Sequence, residues 1–454
     1  MQLLRQAGTA LECEDLAYLV SRLAGTAVLS VLVFSSVQPK DYDIMMRLIK
    51  TSTACINTTT ALKIKQFNPS CRPPYAILSH TWDDEEVSFA EVQSNRSAVR
   101  TRQGFRKIVS FCSNARKLGY DYAWVDTCCI DKRNSAELSE AINSMYQYYK
   151  NAAVCIVHLS DVTNQSNRAE LLKSVRASRW LSRGWTLQEL IAPAARLFFD
   201  ATWNLIRDGK AVLHEIQEAT GLPQAVLENS NEVVKFCAAQ RMSWDSKRKT
   251  TREEDMAYCL MGLFDIHMSP IYGEGGENAF RRLQIAIMQV SFDQTLFAWK
   301  GPYEESGLLA RAPSDFHGSS GVSIWGPRYL SPYGMTNVGL SIRIADISAG
   351  EGGIEDDPGT VRALVQSDVV VDGRYRGLAV FLKPVEGAYF WSNGSRQPAY
   401  RRVRCSEWLV VGRSCNSPFR DILVLEDSHK RLVESARFSD LDRWGRELLP
   451  PSDR

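Results

Sequence analysis

The chain has 454 residues, 44% of them hydrophobic, with 54 Lys+Arg set against 52 Asp+Glu. At roughly 150 residues per domain this gives room for two or three domains with sizeable cores, which argues against disorder as the dominant state. A formal net charge of +2 and a pI near 7.9 leave no global field to release counterions, so a general nucleic-acid binder is not expected.

The 11 cysteines are odd in number and scattered, mostly inside apolar runs, as small core residues are in a reducing compartment. A cytoplasmic location is therefore expected. Leu23–Val37 is apolar but covers only 15 residues, short of the roughly 20 needed to span a bilayer. Glu12, Glu14 and Asp15 stand where a signal peptide would carry basic residues. A buried or poorly packed helix is the simpler reading, and membrane association is not expected. Met46-Arg47-Leu48-Ile49 and Asn57–Lys63 read like one short leader interrupted by an insertion, which sets residues 1–50 apart as an extension, or as an artefact of the assigned start.

From Tyr75 short apolar runs alternate with helical periodicity. Tyr75–His80, behind Pro73-Pro74, predicts a strand. Phe105, Ile108, Val109, Cys112, Ala115 and Leu118 form one helical face that stops at Gly119. Ala123–Ile130 predicts a second strand, and Ser135 is placed to cap a helix lined by Leu138, Ile142, Met145, Tyr146 and Tyr149. Ala153–Leu159 predicts a third strand, a helix carries Trp185, Leu187 and Leu190, and Arg196–Asp200 predicts a fourth strand. The alternation predicts an α/β fold with a parallel sheet covered on both faces. Ligands of such sheets bind beyond the carboxyl ends of the strands, which singles out Ser79 to Trp82, Asp126 to Asp131 and His158 to Asp161 as sharers of one rim.

Residues from about 205 to 300 read as helical, with Met256, Leu260, Leu263 and Phe264 as a core stripe and Gly273–Gly276 as a break. Beyond Gly301, Val322–Trp325, Leu340–Ile344, Val361–Val365, Leu378–Leu382, Trp408–Val411 and Ile422–Leu425 predict an all-β C-terminal domain, with Gly350–Gly359 as a loop. The expected division is an extension over 1–50, an α/β domain over 51–210, a helical extension over 211–300 and a β-rich domain over 301–454.

No G-x-x-x-x-G-K-[ST], no G-x-G-x-x-G after a strand, no C-x-x-C and no H-E-x-x-H occurs. Cys128-Cys129 are adjacent, a poor spacing for two tetrahedral zinc ligands, so no metal is expected. What remains is a carboxylate, histidine and cysteine set. Glu189 follows Trp185 by one helical turn, so the two share a face and the carboxyl is placed to line a pocket walled by an indole. A surface salt bridge is the plainer reading of the same spacing. Cys129 or Cys128 with His80 is an alternative nucleophile and base, and Ser79 with a histidine a weaker one.

Three blocks carry a family resemblance: Tyr75-Ala76-Ile77-Leu78-Ser79-His80-Thr81-Trp82, Trp124–Lys132 followed by Glu137–Tyr146, and Ser178–Leu190 with its Arg183-Gly184-Trp185-Thr186-Leu187-Gln188-Glu189 core. Together they resemble the fungal heterokaryon-incompatibility (HET) domain over about Tyr75 to Asp200, and Arg252–Phe264 with Tyr272–Gly275 resembles the helical extension common in these proteins. The resemblance implies a self/non-self recognition protein that triggers cell death when incompatible fungal cells fuse. The HET family is in turn similar to Toll/interleukin-receptor (TIR) domains, which implies a flavodoxin-like sheet and, because some TIR domains cleave NAD, Glu189 as the catalytic carboxylate. By that likeness NAD is a substrate rather than a resident cofactor. Ser79, His80, Asp126 and Cys129 would face it, Trp82 or Trp185 would stack on a ring, and Arg183 would meet the diphosphate. The alternative is a non-enzymatic adaptor acting by self-association or with protein partners. The chain departs from the dinucleotide pattern in one respect: no phosphate-cradling glycine loop follows the first strand.

Overall fold

The computed structural model describes residues 45–54, 62–94, 97–163, 167–324, 332–347, 359–392, 394–412 and 419–427. Leu23–Val37, residues 57–61, Trp325 and residues 350–358, all given roles above, lie outside the described residues. Contacts divide the chain into two compact units. One runs to Glu232 and adds Arg248–Thr250 and Cys259–Pro270; the other comprises Val233–Lys247, Thr251–Tyr258 and the chain from Ile271 on.

The first unit is built on a six-stranded mixed sheet of β1 (Met46–Lys50), β2 (Ile64–Phe67), β3 (Ala76–His80), β4 (Tyr122–Trp124), β5 (Val154–His158) and β6 (Arg196–Phe199), in the order β2-β1-β4-β3-β5-β6. The four strands β4, β3, β5 and β6 run parallel, while β1 is antiparallel to both β4 and β2. Every residue of β3 and β5 is buried, as expected of parallel strands covered on both faces. The chain steps from β3 to β4 in one direction, then back across β3 to β5 and on to β6. Right-handed crossovers therefore put the helix Gln103–Lys117 on one face and the helices Ser135–Lys150 and Thr186–Ile191 on the other. The winding reverses at β3, so the crevice such sheets use for ligands falls at the carboxyl ends of β3 and β5.

Several local expectations change. Met46–Ile49, read above as leader, lies in strand β1, with Met46, Leu48 and Ile49 buried. The second predicted strand stops at Trp124 and the chain turns into a single helical turn, Asp126–Cys129, closed by Cys129 N–H donating to the Val125 carbonyl. Its apolar residues are buried either way, and periodicity cannot separate strand from turn over so short a run. The cap of Ser135–Lys150 is Asn134, whose side-chain oxygen accepts from the N–H groups of Ala136 and Glu137. The helix Gln103–Lys117 ends as its sequence says, with Gly119 at a φ of 88° that costs glycine little.

The second unit contains the helices Ala238–Ser243, Asp255–Tyr258 and Gly276–Val290 and a nine-stranded sheet. Its strands are β7 (Glu305–Ser306), β8 (Val322–Ile324), β9 (Tyr333–Met335), β10 (Leu340–Asp346), β11 (Val361–Val371), β12 (Arg374–Ser392), β13 (Ser395–Val403), β14 (Leu409–Val411) and β15 (Phe419–Val424). The pairings β12-β11-β10-β15-β13 close on themselves because β13 also pairs β12, so five strands form a ring. The region is β-rich, and the described residues of all six predicted runs fall within strands or at their ends. Of the stripe at Met256 to Phe264, Leu260, Leu263 and Phe264 are buried core. Among the described residues no helix is long and apolar enough to cross a membrane.

Candidate functional site

Ser79 and His80 are consecutive in β3, so their side chains point to opposite faces of the sheet. The rim predicted above is therefore two clusters that share a strand end.

On one face Ser79 Oγ donates to Glu189 Oε2 at 2.6 Å, and the indole Nε1 of Trp180 donates to Ser79 Oγ at 2.8 Å. Glu189 sits in the helix Thr186–Ile191, all of whose residues are buried, and is itself 9% exposed. Tyr149, from the helix Ser135–Lys150, donates its hydroxyl to the Leu78 carbonyl at 2.9 Å, on the same side of β3. Burial pushes the Glu189 carboxyl up to about 8; the hydrogen bond from Ser79 opposes this, the charge of Asp126 adds to it, and that of Arg183 pulls the other way. At neutral pH the group is largely a neutral acid. Trp185, half-buried, begins the helix one turn before Glu189, and the Glu189 N–H approaches its carbonyl at 3.5 Å. The indole hydrogen-bonded into this cluster is that of Trp180, which the spacing argument passed over.

On the other face His80 Nε2 lies 3.0 Å from Asp126 Oδ1, and Trp82 Nε1 donates to Asp126 Oδ2 at 2.8 Å. The buried Lys107 places its Nζ 3.2 Å from His80 Nδ1, 3.2 Å from the Thr81 carbonyl and 2.8 Å from Asp83 Oδ2, and also binds Glu86. An ammonium group can only donate, so where Lys107 meets His80 it is Nδ1 that accepts, which leaves Nε2 to give its hydrogen to Asp126. Burial alone would push the Asp126 carboxyl up, but Lys132, His80 and Trp82 outweigh it and hold the group well below the usual carboxylate range. Asp126 is thus an anion beside a neutral acid. Trp82 is 43% exposed, with Lys132 Nζ 3.7 Å over its ring and the Arg183 guanidinium 5.9 Å from it.

The structure thus brings Ser79 to Glu189, groups His80, Trp82 and Asp126, and sets Arg183 beside both. It does not bring Cys129 to the rim. Cys129 is 3% exposed, and its Sγ accepts from the Val125 N–H at 3.5 Å, close to Cys112 and Cys128. With both His80 nitrogens engaged, the cysteine and histidine pair weighed above lacks its base. Cys129 instead lines a separate cleft of about 340 Å³ with Trp124, Met46, Arg47 and Glu137. His158, paired in register with His80, stacks on Trp203 at 4.1 Å with 7° between the ring planes. Among the described residues no group of three His, Cys, Asp or Glu side chains is arranged to hold a metal ion.

Residues 75–174 match the family model described as heterokaryon incompatibility protein (HET), and residues 278–325 match one described as a domain of unknown function. The chain is 46% identical over 221 residues to the vegetative incompatibility protein HET-E-1 of Podospora anserina. That match covers 47% of this chain and 16% of the relative. No solved structure matches.

Proposed function

With a HET domain at residues 75–174 as the premise, we propose that this protein acts in fungal vegetative incompatibility, recognising non-self and triggering cell death through the carboxyl end of its parallel sheet. The match to a relative named as a vegetative incompatibility protein supports the class of function. The chain spans about 16% of that relative, so activity, substrate and partners are part of the proposal. The strand order β4-β3-β5-β6 supports a flavodoxin-like, TIR-related reading of the sheet.

The observation that carries the mechanism is Glu189 held at the strand end by Ser79 at 2.6 Å, with an exposed indole and two cations, Lys132 and Arg183, nearby. In this reading NAD is consumed in the cytoplasm. Trp82 stacks on an aromatic ring, Lys132 and Arg183 meet the diphosphate, and Glu189 in its ionised form stabilises the positive charge that grows on the ribose as nicotinamide leaves. Nicotinamide release by the purified protein, beside a Glu189→Ala variant expressed in a fungal host, tests it. Loss of NAD turnover and of killing together supports the reading; killing without NAD loss rejects it.

A second reading is favoured by the burial of Glu189, whose bond to Ser79 is internal to the fold. There the domain kills by assembly with itself or with partner proteins, and Glu189 holds the fold. Killing would then survive Glu189→Gln and depend steeply on protein concentration.

A further inference from the structure

The hydrogen bonds around Ser79 run in only one direction. An indole N–H donates and never accepts, so Trp180 fixes Ser79 Oγ as the acceptor of that bond at 2.8 Å. Ser79 has a single hydroxyl hydrogen, and the remaining bond recorded for it is the one to Glu189 Oε2 at 2.6 Å. If Oε2 carried the carboxyl proton and donated back, the hydrogen of the fully buried Ser79 would be left without an acceptor. Such an orphan costs about 1–3 kcal/mol. The Ser79 hydrogen therefore points at Oε2, and the carboxyl proton belongs on Oε1.

We propose that Trp180 and Ser79 are positioning residues that dictate which oxygen of Glu189 carries the proton. The idea rests on reading Glu189 as the working carboxyl, and it gives that carboxyl a handedness: Oε2 is kept as an acceptor, and Oε1 is the oxygen that gains and loses the proton. The other groups facing the carboxyl fit this division. The Tyr149 hydroxyl spends its hydrogen on the Leu78 carbonyl, so it is not a second donor to the carboxyl. Asp126 opposes ionisation of Glu189 and Arg183 favours it, while Cys155, on the adjacent strand, directs its thiol to the Glu189 backbone carbonyl at 3.9 Å. None of these competes for Oε2.

The test is infrared titration of the full chain labelled with ¹³C-glutamate, with the Glu189 band assigned by its loss in Glu189→Gln. Wild type should show one protonated-carboxyl band. Ser79→Ala removes a donor to the anion and should raise the midpoint by about one pH unit, a tenfold weaker acid. Ser79→Thr keeps the hydroxyl and should restore it. Trp180→Phe leaves Ser79 free to turn, so the proton distributes over both oxygens: the band should split or broaden, with a smaller upward shift. A wild-type band already split, or a band and midpoint unmoved in a folded Trp180→Phe or Ser79→Ala protein, overturns the proposal. NAD plays no part in this measurement, so an absence of NAD turnover counts only against the functional reading.

Discussion

Ser79 and Glu189 stand 110 residues apart in the chain and meet at 2.6 Å in the interior of the first unit. The contact exists because β5 is laid beside β3 in register, which brings the short helix ahead of β6 over the end of β3. Everything expected of Glu189 depends on that crossover.

The first consequence is a stability that declines as pH rises. Glu189 titrates near 8 when folded and near its ordinary value of 4.5 when unfolded. Between these values the native state holds a proton that the unfolded chain has released, so stability is fully present below about 4.5 and is lost as pH climbs to about 8. Glu189→Gln mimics the neutral acid and removes the titration. In thermal melts from pH 5 to 9, the melting temperature of wild type minus that of the variant should fall steadily to about pH 8 and then level off. A difference independent of pH would mean that Glu189 is already ionised.

If the ionised form cleaves NAD, nicotinamide release should rise with pH. The midpoint in kcat/KM should lie near 8 for the free protein, and lower in kcat if a bound cation favours the anion. A rate that falls over the same range would assign Glu189 the role of a general acid instead.

Asp126 accepts from two donors at once, His80 and Trp82. An asparagine there offers one oxygen and presents its amide hydrogens to the other donor. Asp126→Asn should therefore cost about 1–3 kcal/mol in denaturant unfolding. It should also make Trp82 more accessible to acrylamide, read as the difference in quenching from a Trp82→Phe background. Unchanged quenching with intact stability would show that the bond to Trp82 does not hold the ring.

His158 gives a slope of the opposite sign. Burial drives its imidazole down to about 4 from an ordinary 6.5. Between those values the unfolded chain takes up a proton that the native state refuses, so stability is lost as pH falls through this window. His158→Phe keeps a ring against Trp203 and should flatten the acid limb of the melting curve between about pH 6.5 and 4, whatever its effect at pH 7.

The parallel strands were legible because β3 and β5 are short, almost wholly apolar runs, and the helix Gln103–Lys117 because its period and its terminal glycine agree. β13 was not legible: it carries Arg401 and Arg402 at buried positions, and charges read as surface. Arg402 is tolerated because its guanidinium donates to the carbonyls of Phe297 and Trp299, partners no local pattern shows. The site was half legible. The strand-end rule singles out Ser79, His80, Trp82 and Asp126, but it is strand alternation that sends Ser79 and His80 to opposite faces and splits them into two clusters. Spacing along one helix chose Trp185 as the wall for Glu189, whereas the indole that matters reaches in from the preceding turn and owes its position to tertiary packing. Cys129 would face the rim only if β4 ran on to Ile130, whereas the strand ends at Trp124 and the chain turns into Asp126–Cys129.

Strand β1 has a practical consequence for anyone who shortens this protein. It covers one side of β4 through the pairs Ile49↔Ala123 and Lys50↔Tyr122. A chain begun at residue 51 would leave β4 with bare N–H and C=O groups next to the large apolar surface of Trp124. Unprotected edges of that kind invite pairing between molecules. Aggregation of such a fragment would then mimic, in a killing assay, the self-assembly that the assay is meant to detect, so fragments built around residues 75–174 should keep residues 46–50.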